Sequence, residues 1–295
     1  MAITAQMVKD LRERTGAGMM ECKKALQETN GNEDAAIEVL RKRGLAKAER
    51  KAGRLAAEGA IVIAMSENRT QSAMLEVNCE TDFVAADQHF KGFVDQVAGQ
   101  LVAEGPDDIP ALRRLYLGDG SNDTVERAQT SLIAKLGENI QIRRFIRYQT
   151  QAGLIGAYLH GNRIGVMLEI EGSDAVLARD LCMHIAASRP LCLDQDDLPA
   201  HIVEKEREIL TAQAQDSGKP AEIVHKMVEG RLRKWFEEVT LLGQPFVKDP
   251  EQSVGALLEK ADARVLRFAR YEVGEGFDKK RANFAEEVAA QVKDS

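Results

Sequence analysis

The sequence predicts an α+β protein: a small helical N-terminal domain, then a core of two similar halves, each an antiparallel sheet with helix. Three observations carry this. Apolar residues over roughly the first fifty positions recur at helical spacing, the period changes to that of strands from Glu58, and the strand pattern is repeated from Gly153.

Thr4 can cap a first helix whose Met7, Val8 and Leu11 share one face, and Thr15-Gly16-Ala17-Gly18 breaks the chain before a second helix over Met19 to Thr29. Asn30-Gly31-Asn32 is a second break. It leads to a third helix with Ala35, Ala36, Val39 and Leu40 in one stripe. Between Arg41 and Arg54 the cations Arg41, Lys42, Arg43, Lys47, Arg50, Lys51 and Arg54 crowd together without aromatic residues to stack on bases, which favours a solvated helix end and linker over an RNA contact.

The core reads as one statement made twice. Gly59-Ala60-Ile61-Val62, a turn at Glu67-Asn68 and Met74-Leu75-Glu76-Val77 match Gly153-Leu154-Ile155-Gly156, a turn at Gly161-Asn162 and Met167-Leu168-Glu169-Ile170. Each hairpin precedes an amphipathic helix, with Phe90, Phe93, Val94 and Val97 in the first and Val176, Leu177, Leu181 and Ile185 in the second. A third strand follows in each half, Arg143 to Tyr148 and Leu266 to Tyr271, where alternating Arg and apolar residues suit a half-buried antiparallel strand.

The second half carries an insertion. Two helical segments between Pro199 and Thr240 flank Asp216 to Pro220, and Val203 with Leu210, then Val228 with Trp235, recur at heptad spacing. This is an antiparallel helical hairpin too short to bury a complete core alone, so its stripe is expected to lie on the body, on another copy of the chain or on a partner. A last helix is expected from Lys280, with Phe284, Val288 and Val292 on one face. The expected domains are 1–54, 55–150, 151–279 with the hairpin at 199–240, and 280–295.

Composition narrows the function. A formal net charge of -7 gives no global attraction to nucleic acid or anionic membrane, so a protein partner or small ligand is expected. No apolar run is long enough to cross a bilayer, and Met1-Ala2-Ile3-Thr4 shows no secretory signal pattern, so a cytosolic location without membrane contact is expected. Cys22, Cys79, Cys182 and Cys192 are scattered without paired spacing, which points to neither a zinc site nor a disulfide framework. Gly16-Ala17-Gly18 has Glu21 in place of a third glycine, Gly218-Lys219 is followed by Pro220, and Asp119, Ser121 and Asp123 lack the glycine and glutamate of a calcium loop. The five histidines have no metalloprotease spacing and no Ser sits in a nucleophile elbow. Neither an enzyme nor a cofactor is called for.

Seven collinear segments carry a family resemblance. Thr15 to Leu26 and Glu76 to Ala85 are joined by Gly137-Glu138-Asn139-Ile140, His160 to Val166, Met183 to Ser188, Gly243 to Val247 and Glu272 to Gly276. Together they resemble elongation factor Ts of bacterial type, across nearly the whole chain. Ala86, where that family usually has a basic residue, and the loop Leu115 to Asp123, expected to be a surface insertion, are the departures. The resemblance implies a ubiquitin-associated-like N-terminal domain, a duplicated core, a helical hairpin and a C-terminal module. It also implies a non-catalytic exchange factor that binds elongation factor Tu, with GDP or nucleotide-free, and promotes GDP release.

The same resemblance makes Thr81, Asp82, Phe83 and Val84 the tip that disturbs the partner's magnesium and phosphate site, with Phe83 as wedge and Asp82 as cap, effector or both. Taken without the family, Phe83 would be a core residue and Asp82 an ordinary helix N-cap. Arg12, Met19, Met20, His160 and Val247 are implied as further contacts on the partner, with core packing the alternative for the two methionines. Whether the hairpin pairs two copies or touches the partner stays open.

Overall fold

The computed structural model describes residues 2–118, 120, 122–172, 174–215 and 220–277, so the helix expected from Lys280 lies outside the described residues. The chain divides into two units. Among the described residues, one comprises 2–64, 75–145 and 272–277, the other 65–74 and 146–271.

In the first unit, the hydroxyl of Thr4 accepts from the Met7 amide at 3.3 Å and opens α1 (Ala5–Thr15), which ends at Gly16 in the left-handed region, φ 67°. Helix α2 (Met19–Glu28) follows, and Asn32 caps α3 (Glu33–Lys51) through the Ala35 amide at 3.0 Å. The three helices bury Val8, Leu11, Cys22, Ala25, Leu26 and Ala36 as a small core, close to the faces the periodicity picked out.

Strands β1 (Glu58–Met65) and β2 (Gln71–Cys79) form the first hairpin. After it come α4 (Asp82–Ala86), α5 (Gln88–Ala103), α6 (Ile109–Arg114) and α7 (Val125–Leu136), and then β3 (Gln141–Gln149), which completes a sheet of order β1-β2-β3. Helix α5 buries Phe90, Phe93, Val94 and Val97 as expected, together with Ala98 and Leu101. Within the loop expected between Leu115 and Asp123, the Leu115 carbonyl accepts from the Val125 amide at 2.8 Å, and Tyr116 bridges to Thr124.

The basic stretch is helix end for most of its length, as expected, and a linker only beyond Lys51. Helix α3 runs on to Lys51, and Gly44 lies so close to α7 that a Cβ there would stand 3.5 Å from the Ala134 methyl. Most of its cations have carboxylate partners: Arg41 with Asp123 at 3.9 Å, Lys42 with Glu38 at 3.0 Å, Arg43 with Glu28 at 2.5 Å, Lys47 with Glu21, and Arg54 with Glu80 at 3.1 Å. A sequence window shows the like-charged run; most of these partners come from other elements, which it cannot show.

The second unit repeats the hairpin. Strands β4 (Leu154–His160) and β5 (Ile164–Glu171) pair antiparallel, from Leu154 opposite Ile170 to His160 opposite Ile164. Helix α8 (Ala175–Ser188) packs on both and approaches β4 so closely at Gly156 that a side chain there would meet the Ala178 methyl at 2.9 Å. Next come α9 (Ala200–Gln215), α10 (Ala221–Val239), the short β6 (Pro245–Phe246) and β7 (Asp249–Ser253), and α11 (Val254–Lys260). Strand β8 (Arg264–Glu272) then closes a sheet of order β4-β5-β8. Val166, Leu168 and Ile170 meet Leu177, Leu181, Ile185, Leu241, Phe246, Val254 and Leu258 in its core. Val176, placed by periodicity in the same stripe, is instead 70% exposed, because Leu177, one residue on, takes the inward direction.

The hairpin also differs from expectation. Leu210, Ala214, Val228 and Leu232 are buried between α9 and α10, with Val203, Val224, Trp235 and Phe236 packed around them. The stripe is used inside the hairpin itself.

Duplication extends to backbone detail. Gly59 and Gly153 both have positive φ, 145° and 106°, and at each a Cβ would stand 2.2 Å from a carbonyl oxygen, that of Val77 or Ile170. Glu76 receives Arg144 at 2.6 Å, and its counterpart Glu169 receives Arg267 at 2.7 Å.

Candidate partner-binding tip

The tip of the first half begins where β2 ends. Thr81, extended at φ -127° and ψ 156°, caps α4 by accepting from the Val84 amide at 3.4 Å. The cap is therefore Thr81 and not Asp82, which is the first helical residue, exposed, with its charge at the favourable end of the helix dipole. Five residues cannot sustain a helix by themselves, so packing must hold this one. Val84 and Ala85 are buried and supply that anchor. Phe83, between them and Asp82, is 83% exposed.

Asp87 ends α4 and caps α5, accepting from the amides of His89 at 2.7 Å and Phe90 at 3.3 Å. In the second half Asp174 does the same for α8, accepting from Val176 at 2.8 Å and Leu177 at 3.0 Å. The two long helices thus start alike, and the segment bearing Phe83 is interposed in the first half alone.

Behind the tip, one Glu138 oxygen accepts from the amides of Glu80 at 3.1 Å and Thr81 at 3.0 Å, and the other accepts from the Thr81 hydroxyl at 2.6 Å. Glu80 in turn accepts from the Asn139 amide at 2.7 Å. The Cys79 thiol donates to the Thr81 carbonyl at 3.1 Å; burial, then the nearby Glu138 charge, push it up to about 12, so it is not a nucleophile at neutral pH.

Of the other expected contacts, the first unit carries Arg12, exposed in the last turn of α1, and Met19 and Met20, which open α2 and are 49% and 64% exposed. Neither methionine packs in the core. The second unit carries His160 at the end of β4, its Nδ1 3.2 Å from the Tyr158 hydroxyl, and Val247, half exposed after β6. Val247 is held from beneath: its amide donates to Nδ1 of buried His184 at 3.2 Å, so Nε2 carries the proton given to Gln244 Oε1 at 2.9 Å. Desolvation lowers the His184 pKa, opposed by the Gln244 bond.

Residues 80–275 match the family model described as "Elongation factor TS". A relative from Thioalkalivibrio sulfidiphilus named "Elongation factor Ts" is 60% identical over 99% of both chains, and one from Alkalilimnicola ehrlichii with the same name is 56% identical over the full length of both. The chain belongs to the elongation factor Ts family. A Legionella pneumophila member is 53% identical over 99% of each chain. The family match covers Thr81 to Val84, His160 and Val247, while Arg12, Met19 and Met20 lie in the part covered by the full-length relatives. Membership carries a role in translation elongation through guanine-nucleotide exchange.

Sequence reasoning missed Glu138 as a partner of the tip, although Gly137 to Ile140 was among the segments that carried the resemblance. It also missed Tyr158 beside His160, which an i, i+2 spacing on one strand could have revealed. Among the described residues no group of three or more His, Cys, Asp or Glu is placed to hold a metal ion, and no helix is long and apolar enough to cross a membrane.

Proposed function

We propose that the chain binds elongation factor Tu in its GDP-bound and nucleotide-free forms and accelerates GDP release by pressing Phe83 into it. The observation that carries this reading is an aromatic ring 83% exposed on a helix whose next two residues are buried. Burying a phenylalanine side chain returns roughly 1.5–3 kcal/mol, which offsets part of the cost of distorting the partner. Asp82, exposed beside it, brings a negative charge to a site where Mg²⁺ and phosphate hold GDP. Competition for the cation then weakens the nucleotide's hold.

Thr81 and Val84 hold the tip in place, and Arg12, Met19, Met20, His160 and Val247 serve as further docking contacts. No bond is made or broken by the chain, which works in the cytosol without a cofactor. Linkage closes the cycle: a factor that weakens nucleotide binding is itself released by nucleotide, to the same extent in free energy.

Release of a fluorescent GDP analogue from elongation factor Tu tests this directly. The intact chain should accelerate release, and Phe83→Ala should slow it while circular dichroism stays unchanged. Binding of the partner with no change in GDP dwell time would make the chain a scaffold instead.

A further inference from the structure

We propose that Glu138 is the positioning residue that fixes the direction in which Phe83 is presented. The inference rests on the reading of Phe83 as the wedge. Helix α4 has five residues, too few to hold its own shape, so the attitude of Phe83 depends on what holds the ends of the segment. At its start the Thr81 hydroxyl has one proton. That proton goes to Glu138 at 2.6 Å, which leaves the oxygen lone pairs to accept from the Val84 amide and cap the helix.

The second Glu138 oxygen gathers the two amides that precede the helix, those of Glu80 and Thr81. The brace is reciprocal. Glu80 accepts from the Asn139 amide at 2.7 Å, and Asn139, 2% exposed, donates to the Arg54 carbonyl at 2.7 Å. Two segments far apart in sequence thus hold one another through carboxylate-to-amide bonds, the charge-assisted kind. A wedge that must enter a partner in one orientation benefits from such preorganisation, since a freely swivelling ring loses affinity to ordering when it docks. Glutamine at 138 could keep its oxygen on the two amides only by turning its NH₂ toward the Thr81 hydroxyl, so the hydroxyl proton would lose its carboxylate acceptor and all three bonds their charge assistance.

The test is stopped-flow release of fluorescent GDP from elongation factor Tu over a range of concentrations of the full chain. Glu138→Gln should lower the plateau rate about tenfold while moving the half-saturating concentration less than about twofold, since the docking contacts elsewhere are intact. Thr81→Val should act in the same direction, and Thr81→Ser, which keeps the hydroxyl, should lose clearly less than Thr81→Val. In a Phe83→Ala background Glu138→Gln should add no further loss, a result that general loosening of the fold would not give.

A wild-type plateau for Glu138→Gln, or a full additional loss in the Phe83→Ala background, overturns the proposal. Phe83→Ala at the wild-type rate overturns the wedge reading, and the brace as its support goes with it. Should Glu138→Gln unfold, the Thr81→Val and Thr81→Ser pair decides: equal plateaus sink the proposal.

Discussion

Arg144 Nε stands 2.6 Å from a carboxylate oxygen of Glu76, a side chain with no exposed surface. The other Glu76 oxygen accepts from Arg143 Nη1 at 2.9 Å, Asn78 Nδ2 at 3.2 Å and the Gly274 amide at 2.9 Å. A buried charge with this many donors is tolerable only because all are present. Glu76→Ala leaves buried donors without their acceptor and is expected to cost about 3–5 kcal/mol of stability. It also frees Gly274 from β2. Urea unfolding of the variant measures the loss, and a change under about 1 kcal/mol would show that water replaces the carboxylate.

Gly59 and Gly153 should behave as a pair. Each has a φ that disfavours a side chain and no space for one, with a carbonyl oxygen 2.2 Å from the Cβ position. Gly59→Ala and Gly153→Ala are each expected to destabilise by about 2–4 kcal/mol, from backbone strain together with overpacking. Gly53, with nothing within 4 Å of a Cβ, is the control, and Gly53→Ala should be close to neutral. Thermal unfolding of the three variants side by side is the measurement.

That pair also shows what the sequence made legible. Hairpins, the Thr4 cap, the break at Asn30 to Asn32 and the buried faces of α1 and α5 are local in origin, so a period or one turn residue reveals them. The tip was found by resemblance, since five residues containing two alanines have no period to read. Its cap falls one position before the expected Asp82 because Thr81 and Asp82 are both good cap residues by type, and the bond that Thr81 makes to Glu138, 57 residues away, is not visible in the local sequence. Exposure of Phe83 likewise follows from the resemblance alone, because composition says only that aromatics prefer burial. The short β6 and β7 lack alternation altogether, with Pro245 and Pro250 inside them.

His184 makes stability depend on pH. It is buried and neutral, with Nδ1 accepting from Val247 and Nε2 donating to Gln244, so protonation would set a donor against the Val247 amide. Its folded pKa lies below the ordinary value of 6.5, and the unfolded chain therefore takes up the proton first as pH falls. The contribution is complete above about 6.5 and is lost progressively below it, down to the folded pKa. Unfolding free energies measured from neutral pH downward should decline in the wild type from about pH 6.5. The decline should start lower in His184→Gln, which lacks this buried imidazole; identical profiles would remove His184 as the cause.

The hairpin bears on whether two copies pair. Its seam consumes Leu210, Ala214, Val228 and Leu232, so among the described residues of α9 and α10 the large apolar side chains left substantially exposed are Ile209 and Ile223. Stable protein interfaces bury on the order of 1,200 Å² or more, far beyond what two isoleucines offer. At micromolar concentration the chain is therefore expected to sediment as one 32.5 kDa species. A mass of twice that, reduced to the single chain by Ile209→Glu with Ile223→Glu, would instead assign the outer face of the hairpin to a second copy. If the double variant leaves the mass unchanged but weakens binding to elongation factor Tu, the same face belongs to the partner.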